Sequence, residues 1–136
     1  VSTEIDGELS TESIPMHDQE NLRALTESVG RYFDLMHDCD VSRFDRVFRP
    51  TANLHGYRDG VMTVWPADVY RDILAKRTSP KSLGAPREEE ILLVDFASNT
   101  QAFIKLRVRI NNLVFVDYLT YHRFDGEWLI TAKAYH

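Results

Sequence analysis

Between residues 89 and 136 the apolar side chains recur at every second position through four segments, 89–97, 101–110, 113–124 and 128–136. A period of two marks strands with one buried face. The intervening turns, Ser98-Asn99-Thr100, Asn111-Asn112 and Asp125-Gly126-Glu127, are short. Turns of this length join antiparallel neighbours and leave no room for the crossover that a parallel pair requires. The last third of the chain is therefore an antiparallel meander whose apolar face needs a cover.

The residues before it supply that cover. Leu22, Leu25, Val29, Phe33 and Met36 recur at steps of three and four, which predicts an amphipathic helix from a cap at Asp18 to a break over residues 37–40. Asp40 is expected to cap a second, short helix with Phe44, Val47 and Phe48 on its buried edge, stopped by Pro50. Residues 52–57 and 61–64 alternate around Asp59-Gly60, a hairpin signal. Pro66 then opens a third helix, with the pairs Val69/Ile73 and Tyr70/Leu74 four residues apart. Residues 78–86, with two prolines and a glycine, read as a loop. The order α-α-β-β-α-β-β-β-β predicts an α+β fold, with three helices packed on one face of a curled, mostly antiparallel sheet.

Residues 1–18 carry Ser, Thr and acids without an apolar period and are expected to be a mobile arm, leaving 19–136 as a single domain. Hydrophobic residues at 43% and charged residues at 27% are globular values, which excludes collagen, coiled coil and global disorder. No apolar run approaches the ~20 residues of a bilayer span, so no membrane partner is expected. Sixteen Lys and Arg against 21 Asp and Glu, a net charge of −5 without a basic run, argue against nucleic acid. Cys39 is the single cysteine, which excludes an internal disulfide framework and makes a reducing, cytoplasmic setting the default expectation. Because the sequence starts at Val1 rather than Met, an upstream segment, trimmed or cleaved as a leader, is expected as well.

The strand faces bear on assembly. In 101–110 the row Ala102, Ile104, Leu106, Val108 and Ile110 is apolar and its opposite largely polar. In 113–124 both faces are apolar: Leu113, Phe115, Leu119 and Tyr121 on one, Val114, Val116, Tyr118 and Phe124 on the other. Such a strand needs cover on both sides. Helices supply one cover, and a second copy of the chain is the expected other.

The stretch from Val29 through Phe48 to Ala52 resembles the first two helices and following strand of nuclear transport factor 2-like proteins. The tail from Asp117-Tyr118-Leu119 through Asp125-Gly126-Glu127-Trp128-Leu129-Ile130 to Lys133 resembles the closing hairpin of their lumazine-binding branch. The resemblance spans residues 21–136. It implies a cone-like curled sheet closed by helices, a pocket inside the cone and a homodimer through the outer sheet face.

In the ketosteroid isomerases of that superfamily a helical Tyr and two Asp residues perform the reaction. Tyr32 matches the Tyr, but Gly56 and Thr120 stand at the two Asp positions, so isomerase chemistry does not carry over. The same alignment points Tyr118, Thr120 and His122 into the cone, meeting Tyr32 and Phe33 from the first helix. Asn53, His55 and Tyr57 contribute from the side, Trp65 and Tyr70 stand near the mouth, and His136 replaces a pocket aromatic. A one-residue bulge before Tyr118 would instead bring in Asp117, Leu119 and Tyr121. With no unpaired basic side chain expected deep inside, the ligand would be flat and uncharged or weakly acidic.

The implied function is a dimeric small-molecule-binding protein with an aromatic pocket. The alternatives are a lyase, isomerase or hydrolase using His55 with Tyr32 or Tyr118 as an acid–base pair, and a protein-interaction module. His55 is a general base only if a carboxylate orients it; otherwise it is a strand histidine bonded to backbone or facing solvent. Tyr32 reads equally as a packed tyrosine. Asp117, buried by pattern, either binds Tyr or Lys side chains structurally or serves as an acid. Lys105, Arg107 and Arg109 form a basic row facing solvent or an interface. No His-x-His or His-x-x-x-His spacing, Gly-rich phosphate loop or serine elbow is present, so neither metal nor cofactor is expected.

Overall fold

A computed structural model describes residues 16–136, with side chains from Asp18 onward. Of the arm expected over 1–18, residues 1–15 lie outside the described residues, and Met16 opens helix α1 (Met16–Asp38). Asp18 therefore sits in the first turn of α1 rather than capping it. Leu25, Val29, Tyr32, Phe33 and Met36 bury one stripe of α1, whereas Leu22 is exposed and Asn21 takes the inner position at that level. The helix ends where Cys39 turns to φ 56°, its N–H donating to the Leu35 carbonyl at 2.9 Å.

Asp40 caps the next element, accepting from the Ser42 N–H at 3.1 Å. That element is a 3-10 helix, Val41–Arg46, not the longer helix expected up to Pro50. Phe48 already belongs to strand β1 (Phe48–Arg58). Pro50, which has no N–H to give to a ladder, falls where the pairing of β1 with its neighbour is interrupted between Phe48 and Asn53. Strand β2 (Val61–Pro66) returns through a turn in which Asp59 and Gly60 take φ 53° and 78°. Helix α2 (Ala67–Lys76) buries Ala67, Tyr70 and Leu74. The meander follows as β3 (Glu89–Phe96), β4 (Gln101–Ile110), β5 (Leu113–Phe124) and β6 (Glu127–Tyr135).

The six strands form one sheet in the order β2-β1-β6-β5-β4-β3, and only β1 with β6 is parallel. Register breaks in β1–β6, β3–β4 and β5–β6 add twist, and the sheet curls without closing. The helices lie in the concave side, where Phe48, Leu54, Ile104, Leu106, Leu119, Trp128 and Ile130 complete the core with α1. This is the α+β roll expected from the sequence.

Candidate functional site

The two-residue turn at Asn111-Asn112 sets Ile110 opposite Leu113, and the β4–β5 ladder runs unbroken from there to Gln101. Leu106 consequently faces Asp117, Ile104 faces Leu119, and Ala102 faces Tyr121. Residues paired across antiparallel strands share a sheet face, so Asp117, Leu119 and Tyr121 join the buried apolar row of β4 inside the cone. The inward placement of Tyr118, Thr120 and His122 is thereby corrected. Tyr118 lies on the convex face against the Phe103 ring, 5.8 Å between centroids, with Thr120 in the same row of side chains. His122 Nδ1 is 2.6 Å from the Thr131 hydroxyl. No bulge in β5 causes this; the unbroken register does.

Strand β1 needs the same correction. Ala52, Leu54 and Gly56 point inward, and Asn53, His55 and Tyr57 point out and are exposed. His55 and the buried Tyr32 therefore lie on opposite faces and form no acid–base pair. Gly56 is fixed by contact: a Cβ there would come within 2.1 Å of the Tyr135 ring. The Asp of the isomerase comparison has no room at this position, because an aromatic ring fills the space.

Lys133 and Tyr135 reach the interior through an irregularity in β6. Trp128 and Ile130 point inward, and simple alternation would continue with Ala132 and Ala134. The β5–β6 register instead skips Thr131, pairing Tyr121 with Ile130 and Thr120 with Ala132. The inward phase shifts by one, and Lys133 enters the core at 5% exposure.

These residues meet at a cavity of about 300 Å³. Its walls are Trp65, Tyr70, Ile110, Phe115 and Tyr135, with Thr63 beside them. Trp65 stacks on Tyr70 and on Tyr135, 5.9 Å from each. Asp117, 1% exposed, and Lys133 form its floor, their charged atoms 3.9 Å apart. Behind the floor, the Tyr32 hydroxyl donates to Asp117 Oδ2. Lys133 Nζ donates to the Tyr70 hydroxyl at 3.3 Å and lies 4.9 to 5.6 Å from the ring centres of Tyr70, Tyr32 and Tyr135. Asp117 Oδ1 is buried and finds no hydrogen-bond partner among the described residues. Arg58 and Arg77 complete the lining nearer solvent. Lys133 is a basic side chain deep inside, and it is paired there with Asp117.

Burial, with the Asp117 carboxylate beside it, holds the Tyr32 hydroxyl well above the ordinary phenol value, and burial does the same for Tyr121. Tyr135 is raised by partial burial as well, against the opposing pull of Lys133. Tyr32 is accordingly a neutral donor locked onto Asp117. Of the other expected residues, Phe33 is packed in the core and His136 is exposed at the edge of an adjoining hollow of about 280 Å³ shared with Tyr57. A larger hollow, about 460 Å³, lies at the opposite end of β4 beside Asn21, Phe96 and Asn99. Its amides are already engaged, Asn21 donating to Asn99 at 3.2 Å and accepting from Arg123 at 3.0 Å. The cavity over Asp117, by contrast, holds two buried polar atoms without hydrogen-bond partners among the described residues, Asp117 Oδ1 and Arg77 Nη1. Among the described residues no three His, Cys, Asp or Glu side chains converge on a common point. No helix among them is long and apolar enough to cross a membrane.

Of this lining, Trp65 and Tyr70 are expected from the sequence and Asp117 only as the bulged alternative; Arg58, Thr63, Arg77, Ile110, Phe115, Lys133 and Tyr135 are not. Phe115 was signalled by its register opposite Val108, whereas nothing in the spacing marks the two arginines.

Comparison with known proteins adds the family. Residues 20–136 match the family described as "Putative lumazine-binding". The chain belongs to this family. Among curated proteins no sequence match is found. Among solved structures the lumazine-binding family member is similar to a nuclear transport factor 2-like protein of unknown function from Silicibacter pomeroyi DSS-3. That match has 22% identity, covers 88% of this chain and 97% of the other, and has a TM-score of 0.74. A second such protein, from Shewanella baltica OS155, gives 20% identity, 91% and 97% coverage and a TM-score of 0.76. A ketosteroid isomerase-like protein from Erwinia carotovora atroseptica SCRI1043 gives 12% identity, 85% and 95% coverage and a TM-score of 0.66. At these identities the likeness is one of fold, that of the nuclear transport factor 2-like superfamily.

Proposed function

We propose that this protein binds a flat heteroaromatic small molecule in the cavity over Asp117, and that it does so as a homodimer. The observation that carries the binding reading is the cavity itself. Stacked aromatic walls end on a floor holding an ion pair and a carboxylate oxygen without a partner among the described residues. Small-molecule sites are built this way, mostly apolar with a few convergent polar groups. The open volume, about 300 Å³, argues against a module that uses only its surface, whose cone would be filled. A bicyclic heterocycle such as lumazine, named in the family description, has the flat shape and edge donors that the walls and floor accept. The dimer is supported by the convex face, where Leu93, Val114 and Tyr118 stay exposed beside Phe103.

The test is calorimetric titration with lumazine and related bicyclic heterocycles, alongside tryptophan fluorescence. Saturable binding with quenching is expected. Trp65→Phe should remove most of the quench while binding persists, because Trp128, the other tryptophan, is fully buried in the core. No heat and no quench across the set would overturn the reading.

A further inference from the structure

The cavity is strongly asymmetric in charge within a chain of net charge −5. Three cationic side chains line it, Arg58, Arg77 and Lys133, against the single carboxylate of Asp117. Lys133 is committed, through its contacts with Asp117 and the Tyr70 hydroxyl. The two arginines are not. Arg77 Nη1 is buried yet meets no hydrogen-bond partner among the described residues. Arg58 lines the same cavity and is paired with no carboxylate among the described residues. Several other arginines are answered by carboxylates, Arg87 by Asp34 and Glu89, Arg107 by Glu90 and Arg109 by Glu88. Arg49, which also has a buried unpartnered nitrogen, lies over the Phe124 ring rather than in a cavity with a second arginine. A buried guanidinium N–H without a partner is costly, and an anion is its natural complement.

The opposite need exists at the floor. Asp117 Oδ1 is an acceptor in a residue 1% exposed, with nothing among the described residues to donate to it. Donor-hungry floor and anion-hungry rim are separated by the aromatic walls, so both demands fall on one molecule lying between them.

We infer that the ligand is a planar aromatic acid, with a ring N–H that donates to Asp117 Oδ1 at its inner end and a carboxylate held by Arg77 and Arg58 at its outer end. This rests on the pocket reading above and adds the ligand's polarity and orientation to it. The arginine fork favours a carboxylate, whose two oxygens it meets side by side, over a single-atom anion. Asp117 excludes a second acid at the inner end, where two carboxylates would repel.

The experiment titrates the full chain with three probes of one shape: an indole with a carboxylate on its six-membered ring, the corresponding carboxamide, and the benzothiophene carboxylate that lacks the N–H. The indole acid should bind about ten- to a hundredfold more tightly than either comparator, the range of one charge-assisted hydrogen bond. The affinities of the two carboxylates should weaken with added salt, and that of the carboxamide should not. Arg77→Gln should erase the preference for acid over amide, and Arg77→Lys, which keeps charge but not the fork, should restore only part of it. Arg58→Gln provides the second variant, on an exposed side chain whose loss leaves the core untouched, and should reduce the same preference. Equal binding of acid and amide, unchanged in both arginine variants, would overturn the inference and leave the pocket reading standing. Binding of none of the three, with heterocycle binding also absent, would overturn both.

Discussion

At the scale of single residues, the site turns on a charge pair placed where charge is expensive. Asp117 and Lys133 are both nearly inaccessible, and each keeps further polar contacts, Asp117 to Tyr32 and Lys133 to Tyr70. Removing one partner of such a pair strands the other, at a cost of about 3–5 kcal/mol. Lys133→Met should therefore lower stability by that order in urea denaturation. The double variant with Asp117→Asn should recover part of the loss, since no full charge then remains buried. A Lys133→Met protein as stable as the parent would mean that the pair contributes nothing. Tyr32 supplies a second prediction. Its folded-state pKa is raised above the unfolded value of about 10 by burial and by Asp117. Above pH 10 the unfolded chain gives up this proton while the native chain keeps it. The unfolded state then binds fewer protons, so stability falls as pH rises and is fully present below pH 10. Tyr121 shares the direction. Tyr32→Phe should shallow the alkaline decline by the slope of one proton, read from denaturation midpoints between pH 9 and 11.

At the scale of elements, the cavity depends on a bulge and on a missing side chain. Skipping Thr131 turns Lys133 and Tyr135 inward, and Gly56 leaves the space in which the Tyr135 ring lies. Gly56→Ala forces that ring to move. It should cost about 1–3 kcal/mol in chemical denaturation, and much less in a Tyr135→Ala background where no ring stands in the way. Equal costs in both backgrounds would show that backbone, not the ring, resists the methyl group. These two devices explain what could and could not be read from the sequence. Strand positions followed from the period of two and from Asp59-Gly60, Asn111-Asn112 and Asp125-Gly126, because turn chemistry is local. Phe48 was misplaced in a helix because i, i+3, i+4 spacing also suits a 3-10 turn that runs straight into a strand. The inward face of β5 was legible: the Asn111-Asn112 turn plus the apolar row of β4 fixes it, and alignment to the isomerases displaced that reading. The interior role of Lys133 was not legible as a face, since a bulge has no signature in alternation. Arg58 and Arg77 converge only in three dimensions, from the ends of β1 and α2.

At the scale of the whole molecule, the sheet has two faces with different needs. The concave face is satisfied by α1, α2 and the core. The convex face is not: across β3, β4 and β5 the register places Leu93, Lys105 and Tyr118 in one row, with the Phe103 ring tilted against Tyr118. Tyr118 remains 39% exposed and Leu93 48%, apolar surface that a monomer leaves in water. The row continues through Ala134 to His55, so the residues first assigned to a pocket lie along the proposed contact between two copies. A twofold contact places each patch against its own copy. Tyr118 then meets the partner near the centre of the patch, where one added charge per subunit must be dehydrated on association, a cost that Lys105 across the strands offsets only in part. Sedimentation at micromolar concentration should give twice the chain mass of 15.8 kDa for the parent and a single chain for Tyr118→Glu. The melting profile of the variant should keep its cooperativity, because Tyr118 is absent from the concave core. Ligand affinity should survive as well, since Tyr118 does not line the cavity. A parent protein sedimenting as a single chain would remove the dimer and leave the cavity untouched.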